Sequence, residues 1–320
     1  MIDITIENFQ TELIEASRQQ PVLLDIWAPW CGPCKALGPL LEKLEVAYGG
    51  RFLLAKLNSD EQPEIAGQLS QAFGVRSIPF CVMFSGGQPV DGFVGALPEA
   101  QVREFLDKHV PTEEALDAEA EVEEAEALLA SGEHDIETVL AKLQEAVAID
   151  PSNEVARLDY LKVLLGLART EPARVAQARA AFEPVAVQAM TDSRFTAIQR
   201  WLEAAEAAQQ APDMATLDAA IAANKRDFAA RFQRAQHLFV AGLLTEAMDE
   251  LLEIIMRDKA WQDEAARKTY VAILELMTKP APKAADSAPG STLEIAGKSA
   301  VPPSDPVLDQ YRRKLSMALF

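Results

Sequence analysis

Apolar and polar residues follow two different periods in the first 110 residues of the chain. Residues 22–27 (VLLDIW) form a short apolar run, as expected of a buried strand, and its one charged residue is Asp25. Residues 35–48 instead place leucines three and four positions apart, which is the period of an amphipathic helix. The pattern therefore predicts a strand that passes into a helix at residues 28–34.

Two of the three cysteines, Cys31 and Cys34, lie at this predicted junction, in the segment 30–34 (WCGPC). Two thiols at this spacing can close into a small, reversible disulfide. The amides and dipole of a helix N-terminus stabilise a thiolate, and Pro33 suits a first helical turn. We therefore expect Cys31 to be the exposed nucleophile and Cys34 to be the shielded thiol that resolves a mixed disulfide.

Asp25 is the predicted acid–base group. A carboxylate in an apolar strand is costly to ionise, and the resulting rise in its pKa suits it to proton exchange with Cys34 through water. Lys56, in the apolar run 54–57, is expected on the neighbouring strand as the partner of Asp25. The alternative is that Asp25 is a surface carboxylate at the end of a strand.

Residues 78–80 (IPF) precede another apolar strand, and an X–Pro bond is the usual site of a cis peptide. A cis Pro79 facing the cysteines would hold a substrate backbone against the disulfide. Cys81, the third thiol, is expected to be an inert core cysteine, with an auxiliary redox role as the alternative. The three histidines, His109, His134 and His237, show no ligand spacing and are interpreted as structural or solvated, so no metal site is predicted.

These residues resemble those of the thioredoxin family. Residues 22–39 (VLLDIWAPWCGPCKALGP) are similar to its active-site segment, residues 77–79 to its cis-proline loop, and Gly92 to its late glycine. The resemblance covers about residues 1–110. It implies an α/β thioredoxin fold, with a mixed central sheet, helices on both faces and the order β-α-β-α-β-α-β-β-α.

The resemblance also implies roles for named residues. The implied catalytic residues are Cys31, Cys34, Asp25, Lys56 and Pro79. The residues expected to face the substrate are Trp30, Gly32, Pro33 and Phe80. Pro29 and Phe80 depart from the usual polar and small hydroxyl residues of the family, which predicts a more apolar surface suited to an unfolded client.

Composition limits the function classes. The chain has 320 residues, too many for one such domain, and its net charge of −19 argues against nucleic acid or anionic membrane as a partner. The N-terminus shows no signal pattern and no apolar run approaches the ~20 residues of a membrane span. With few cysteines, the expected location is the cytoplasm.

The composition changes after residue 110. Residues 112–126 carry eight acidic residues and no basic one, so a solvated helical connector is predicted over 111–121. Residues 122–278 are rich in Ala, Leu and Glu, and the stretch 229–259 places small and large residues at the offsets of a tetratricopeptide repeat. A second unit is predicted over 122–151, with degenerate repeats between. An all-α helical repeat domain is therefore expected over 122–278; a generic bundle is the alternative.

The end of the chain combines two patterns. Residues 279–305 are rich in Pro, Ala, Ser and Gly and are predicted to be a disordered tether, whereas residues 306–320 have an amphipathic helical period. This helix is expected either to dock onto a partner or to cap the last repeat. The candidate docking residues are Tyr311, Arg312, Arg313, Leu315, Leu319 and Phe320.

The whole arrangement resembles the chaperedoxin family of bacterial co-chaperones. That resemblance implies a holdase that binds unfolding proteins, reduces or protects their cysteines, and passes them to foldases such as the GroEL chaperonin and DnaK. It implies thioredoxin reductase or glutathione as reductant and no cofactor beyond the Cys31–Cys34 disulfide. Thiol–disulfide oxidoreductase activity would accompany the chaperone role. The alternatives are a disulfide reductase whose repeats select dedicated partners and a structural adaptor, against which the intact cysteine pair argues.

Overall fold

The computed structural model describes residues 2–131, 135–278 and 305–319. The predicted tether lies outside these ranges apart from Asp305, as do His134 and Phe320. The chain divides into two compact units, one within residues 1–116 and one from residue 117 onward.

The first unit contains a five-stranded mixed sheet. The strands are Ile2–Asp3 (β1), Val22–Trp27 (β2), Leu53–Asn58 (β3), Phe80–Ser85 (β4) and Gln88–Val94 (β5). Their spatial order is β1-β3-β2-β4-β5, in which β3 pairs in parallel with β1 and β2, while β4 is antiparallel to both β2 and β5. Strand β2, which is buried in all but its last residue, therefore lies at the centre of the sheet, as its apolar sequence predicts.

Helices cover both faces of this sheet. They are a π-helical segment Phe9–Glu15 that continues into Ala16–Gln19 (α1), then Gly32–Ala47 (α2), Pro63–Phe73 (α3) and Glu99–His109 (α4). Leucines of α2 and α4 pack with Leu23, Leu54 and Met83, whereas α3 and the π-helical segment pack with alternate residues of the same strands, such as Leu24 and Val82. The element order and the two helical layers confirm the predicted thioredoxin fold.

The second unit is helical throughout the part of it that the structure describes. Its helices are Glu113–Ser131 (α5), which begins in the first unit, Ile136–Ile149 (α6), Glu154–Leu167 (α7), Arg174–Phe182 (α8), Ser193–Gln210 (α9), Met214–Ala223 (α10), Phe228–Val240 (α11), Leu244–Ile255 (α12), Trp261–Met277 (α13) and Pro306–Leu319 (α14). A 3₁₀ segment, Glu183–Met190, follows α8, and residues 262–264 at the start of α13 have left-handed backbone.

Helices α7 and α11 begin with the same structural unit. Asn153 and Asp227 are their N-caps, each accepting a hydrogen bond from the backbone N–H three residues later, at 2.9 and 3.0 Å. Four residues after each cap stands a buried arginine, Arg157 or Arg231, whose guanidinium donates to the carbonyl six residues before it. Helices α7 and α11 therefore share a feature that the predicted apolar offsets did not include, and α7 lies in the stretch that the sequence assigned to degenerate repeats.

None of the described helices is both long and apolar enough to cross a membrane.

Candidate active site

The cysteine pair lies at the junction between β2 and α2. Cys31 is the N-cap of α2, and its Sγ accepts a hydrogen bond from the backbone N–H of Cys34 at 3.2 Å. The two residues form a disulfide with Cα atoms 5.3 Å apart, and Pro33 lies in the first turn of the helix. Once this bond is reduced, the helix N-terminus will favour the Cys31 thiolate over its thiol.

The two cysteines do not differ in exposure as the sequence predicted. Cys31 and Cys34 are each 4% exposed, and Trp27, Ala28 and Ile78 pack around them. Cys31 differs from Cys34 instead in being the N-cap of α2. Its sulfur accepts a hydrogen bond from the backbone N–H of Cys34 at the end of the helix. The polarity of the helix therefore favours Cys31 as the residue that carries the thiolate.

The predicted substrate-facing residues fall into two groups. Gly32 and Pro33 are exposed beside the disulfide, and Trp30 is 70% exposed. The Trp30 indole N–H donates to both carboxylate oxygens of Asp60, at 3.0 and 3.1 Å, a partner that the sequence reasoning missed. Phe80 is only 1% exposed, because the pleat of β4 turns its ring into the core, so it does not supply the apolar surface predicted at this position.

The Ile78–Pro79 peptide bond is cis, as the resemblance to thioredoxins implies. The Pro79 carbonyl accepts a hydrogen bond from the backbone N–H of Gly95 at 2.8 Å, which ties this loop to the end of β5. A Cβ at Gly92 would lie 2.8 Å from the Cys81 carbonyl oxygen, so a side chain there would push β5 away from β4. Glycine at 92 thus keeps the strand that anchors the cis-proline loop in place.

Asp25 is buried in the middle of β2, with 1% of its surface exposed. It lies in register with Lys56 on β3 and with Cys81 on β4. Burial raises the pKa of Asp25 to about 6; the Lys56 charge and a hydrogen bond from Cys81 oppose the rise, and the Glu42 charge adds to it. The carboxyl group is buried as predicted, which excludes the surface alternative.

Lys56 is on the neighbouring strand as predicted, but its ammonium group forms its ion pair with another residue. Its Nζ lies 2.5 Å from Oε1 of Glu42 on α2. The sequence analysis did not identify Glu42 as the partner of Lys56. Glu42 lies one helical turn after the buried Gly38, and a Cβ at Gly38 would be 3.6 Å from Lys56 Nζ. The Lys56 charge therefore lowers the pKa of Asp25, although the ion pair of Lys56 is with Glu42.

Helix α2 brings Cys34 to the same side of the sheet as Asp25. Cys34, Leu37 and Leu41 form its buried face, and the leucines pack in the layer that includes Leu23, two residues before Asp25 on β2. Helix α2 begins just beyond the end of β2 and packs on the face of the sheet that carries Asp25. A carboxyl group on this face suits the predicted proton exchange with Cys34 through water.

The histidines have structural partners. His109 Nε2 lies 2.8 Å from Asp91 Oδ2, and His237 Nε2 lies 3.0 Å from the Pro212 carbonyl oxygen. Within the described ranges, no cluster of three or more His, Cys, Asp or Glu side chains is arranged to hold a metal ion.

The C-terminal helix α14 packs against α12 and α13 through one face. Leu308 and Tyr311 are each 6% exposed, and the Tyr311 carbonyl accepts a hydrogen bond from the Tyr270 hydroxyl at 2.8 Å. Of the candidate docking residues, Leu315 and Leu319 also contact this core and are partly buried. Arg312 and Arg313 lie on the exposed side of the helix. Helix α14 thus caps α12 and α13, as the second interpretation expected. Among the docking candidates that the structure describes, Arg312 and Arg313 remain exposed.

Burial of Asp25 predicts a pH dependence of stability. Its pKa is raised from 3.8 to about 6 on folding, so the unfolded chain loses this proton first as the pH increases, and the folded state is destabilised between these values. At pH 7 the effect is about 3 kcal/mol. We expect Asp25→Asn to stabilise the oxidised protein by roughly this amount at pH 7 and by little at pH 3.5. The measurement is urea unfolding at each pH, followed by pulse hydrogen exchange in peptides of β2 and β3. These peptides report the unfolding of the first unit separately from that of the helical unit. Equal stabilisation at both pH values would contradict the assignment.

Comparison with known proteins agrees with this site. Residues 1–108 match the thioredoxin family, and residues 207–287 match a tetratricopeptide repeat family. A thioredoxin of Chlorobaculum thiosulfatiphilum is 46% identical over 108 residues, which are 34% of this chain and 94% of that protein. Thioredoxin 1 of a Nostoc species is 40% identical over 107 residues, 33% of this chain and 94% of that protein.

The chloroplastic thioredoxin M2 of Arabidopsis thaliana is 42% identical over 110 residues, 34% of this chain and 57% of that protein. Thioredoxins use a redox-active disulfide and no external cofactor, as expected for Cys31 and Cys34. The match to 207–287 includes the unit predicted over 229–259, and both kinds of domain imply binding of client or partner proteins. With a relative covered almost end to end, this chain belongs to the thioredoxin family through its first 108 residues and carries a tetratricopeptide repeat region after them.

Proposed function

We propose that this chain is a co-chaperone of the chaperedoxin type, in which a thiol–disulfide oxidoreductase domain acts on proteins that the helical region binds. The observation that carries the proposal is the Cys31–Cys34 disulfide, with the buried Asp25 on the strand before it, in a chain whose larger part is helical and matches a tetratricopeptide repeat family over residues 207–287. The reductant is thioredoxin reductase or glutathione, and the location is the cytoplasm.

The redox step follows from the site. In the reduced protein, the Cys31 thiolate attacks one sulfur of a client disulfide, and the other client sulfur leaves as a thiolate. Cys34, having given its proton to Asp25, then attacks the Cys31 sulfur and releases the second client thiol. The client gains two electrons and the protein is left with the Cys31–Cys34 disulfide, the state seen in the structure. The reductant then returns two electrons to that bond.

The helical unit offers apolar surface for an unfolded client. An open cavity of about 420 Å³ lies between α9, α10 and α11, lined mainly by aliphatic side chains such as Met214, Leu238 and Val240. Nearby on its rim, Leu243 is 45% exposed. An apolar, open concavity of this kind suits a side chain exposed by unfolding.

The exposed side of α14 is the proposed docking surface for the GroEL chaperonin, with DnaK as a second foldase. Its buried side is occupied by Leu308 and Tyr311 and holds the helix on the repeats. Arg312 and Arg313 supply positive charge in a chain of net charge −19. The proposal therefore rests on the arginines and not on the candidate residues that are buried.

The redox assignment predicts reduction of a protein disulfide at the expense of NADPH when thioredoxin reductase is supplied. We expect Cys31→Ser to lower turnover about a hundredfold or more, because it removes the attacking thiolate. Turnover equal to that of the wild type would refute the assignment.

Cys34→Ser should trap clients as mixed disulfides in cells. A broad set of trapped proteins supports the co-chaperone, while a few dedicated partners support a specialised reductase.

The holdase assignment predicts that the protein suppresses aggregation of a cysteine-free client during thermal unfolding, measured by light scattering. We expect Leu243→Glu to weaken suppression several-fold, because it places a charge at the rim of the apolar cavity. Val271→Glu is the matched control, since Val271 is 47% exposed but does not line the cavity. Failure of the wild-type protein to suppress aggregation at several-fold molar excess would contradict the holdase assignment.

The docking assignment predicts that Arg312→Glu with Arg313→Glu reduces chaperonin pull-down at least about tenfold, because both charges are reversed. The reversal of Lys225 and Arg226 to Glu is the matched control, since these residues are also exposed and lie in the same unit. Disulfide reduction should be unchanged in both variants. If pull-down persists after the α14 reversal, the helix serves as a cap alone.

A further inference from the structure

The third cysteine lies directly beside the buried carboxyl group of the redox site. Cys81 on β4 is the register partner of Asp25 on β2, and both are almost inaccessible, at 0% and 1% exposure. The distance between Cys81 Sγ and Asp25 Oδ1 is 3.7 Å, within hydrogen-bond reach of a thiol. The expected core cysteine is therefore also a neighbour of the acid–base group.

Asp25 has few other ways to be stabilised. The Lys56 charge, on the other side of β2, favours the ionised form of Asp25, but the Lys56 ammonium group pairs with Glu42 on α2, and the Glu42 charge opposes that ionisation. Within the described part of the chain, the Cys81 thiol is the one side chain that donates a hydrogen bond to this carboxylate. A buried carboxylate without a donor is strongly disfavoured relative to its neutral form.

The thiol is suited to this task because it keeps its proton. Burial raises the pKa of Cys81 well above its usual value, and the neighbouring Asp25 charge raises it further. Cys81 therefore remains an S–H donor while Asp25 and Cys34 exchange a proton. It also has no exposed surface through which an oxidant or client could reach it.

We propose that Cys81 is a positioning residue for Asp25: its S–H holds Oδ1 and favours the ionised carboxylate that takes the proton of Cys34. The proposal rests on the redox function proposed above, but the interaction itself does not. The groups that act on the ionisation of Asp25 are Lys56 from β3, Glu42 from α2 and Cys81 from β4. Of these, Cys81 is an uncharged donor that does not titrate in the working range, so its effect can be removed without altering the local charge.

The direct test is titration of Asp25 in the full-length, oxidised protein, in which Cys31 and Cys34 cannot titrate. Selective ¹³C labelling of aspartate carboxyl groups reports the ionisation by NMR, and Asp25→Asn identifies the signal. Cys81→Val removes the donor while filling the space, and we expect it to lower the ionisation constant of Asp25 roughly threefold to tenfold. Cys81→Ser keeps a hydroxyl donor and should give a constant equal to or greater than that of the wild type.

The control is Met83→Val, a change of equal burial on the same strand and the same sheet face, two residues from Cys81. It should leave the ionisation of Asp25 unchanged. If Cys81→Val leaves the constant within about twofold of the wild type, or if Cys81→Ser lowers it as much as Val does, the thiol has a packing role alone and the proposal is refuted. Cys81→Ala gives the same comparison should Val strain the core.

A kinetic readout joins the interaction to the reaction. The pH profile of disulfide reduction should move to higher pH in Cys81→Val, with a loss of up to about fivefold at pH 6 and little change at the alkaline plateau. Cys81→Ser should restore the wild-type profile. A shifted Asp25 titration with an unshifted kinetic profile would show that the hydrogen bond exists but that Asp25 is not the base, which would leave the structural part of the proposal standing and refute the catalytic part.

Discussion

The pairing of β2 with β3 on one side and β4 on the other is the constraint on which the site depends. This register places Lys56, Asp25 and Cys81 in one row across the sheet, on the face that α2 covers. Because side chains alternate between faces, a slip of one residue in either pairing would move one member of the row to the opposite face. The ends of β2 and β4 then bring Cys31 and cis Pro79 to the same edge, so one sheet register sets both the chemistry and the substrate platform.

The local parts of this arrangement could be predicted from the sequence because they depend on near neighbours. The strand at 22–27, the helix after it and the N-cap position of Cys31 follow from period and spacing. The Lys56–Glu42 ion pair and the Asp25–Cys81 contact could not be predicted in the same way, because they join residues from different elements whose order in the sheet is not written locally. Phe80 shows the same limit: its neighbour Pro79 lies at the site, yet the pleat directs the ring to the core.

The helical unit shows how a weak sequence repeat becomes clear in three dimensions. The match between α7 and α11 resides in an Asx N-cap and a buried arginine that donates to a carbonyl of the preceding turn. Apolar offsets in alanine-rich helices are easily matched by chance, so they indicated 229–259 clearly and α7 only as part of a degenerate stretch. A buried guanidinium needs fixed acceptors, and for this reason Arg157 and Arg231 identify the repeat more securely than the aliphatic residues around them.

The two interpretations of the C-terminal helix are reconciled by its two faces. Tyr311 links α14 to the repeats through a carbonyl bonded to Tyr270 and a hydroxyl that donates to Asp249, while Lys314 forms an ion pair with Asp249. These contacts use the apolar side and Lys314, and Arg312 also donates to the Thr278 hydroxyl at 3.3 Å; together they fix the rotation of the helix about its axis. That rotation leaves Arg312 and Arg313 outward. Capping therefore does not exclude the proposed docking, because the contacts that cap the array leave the Arg312 and Arg313 side chains exposed.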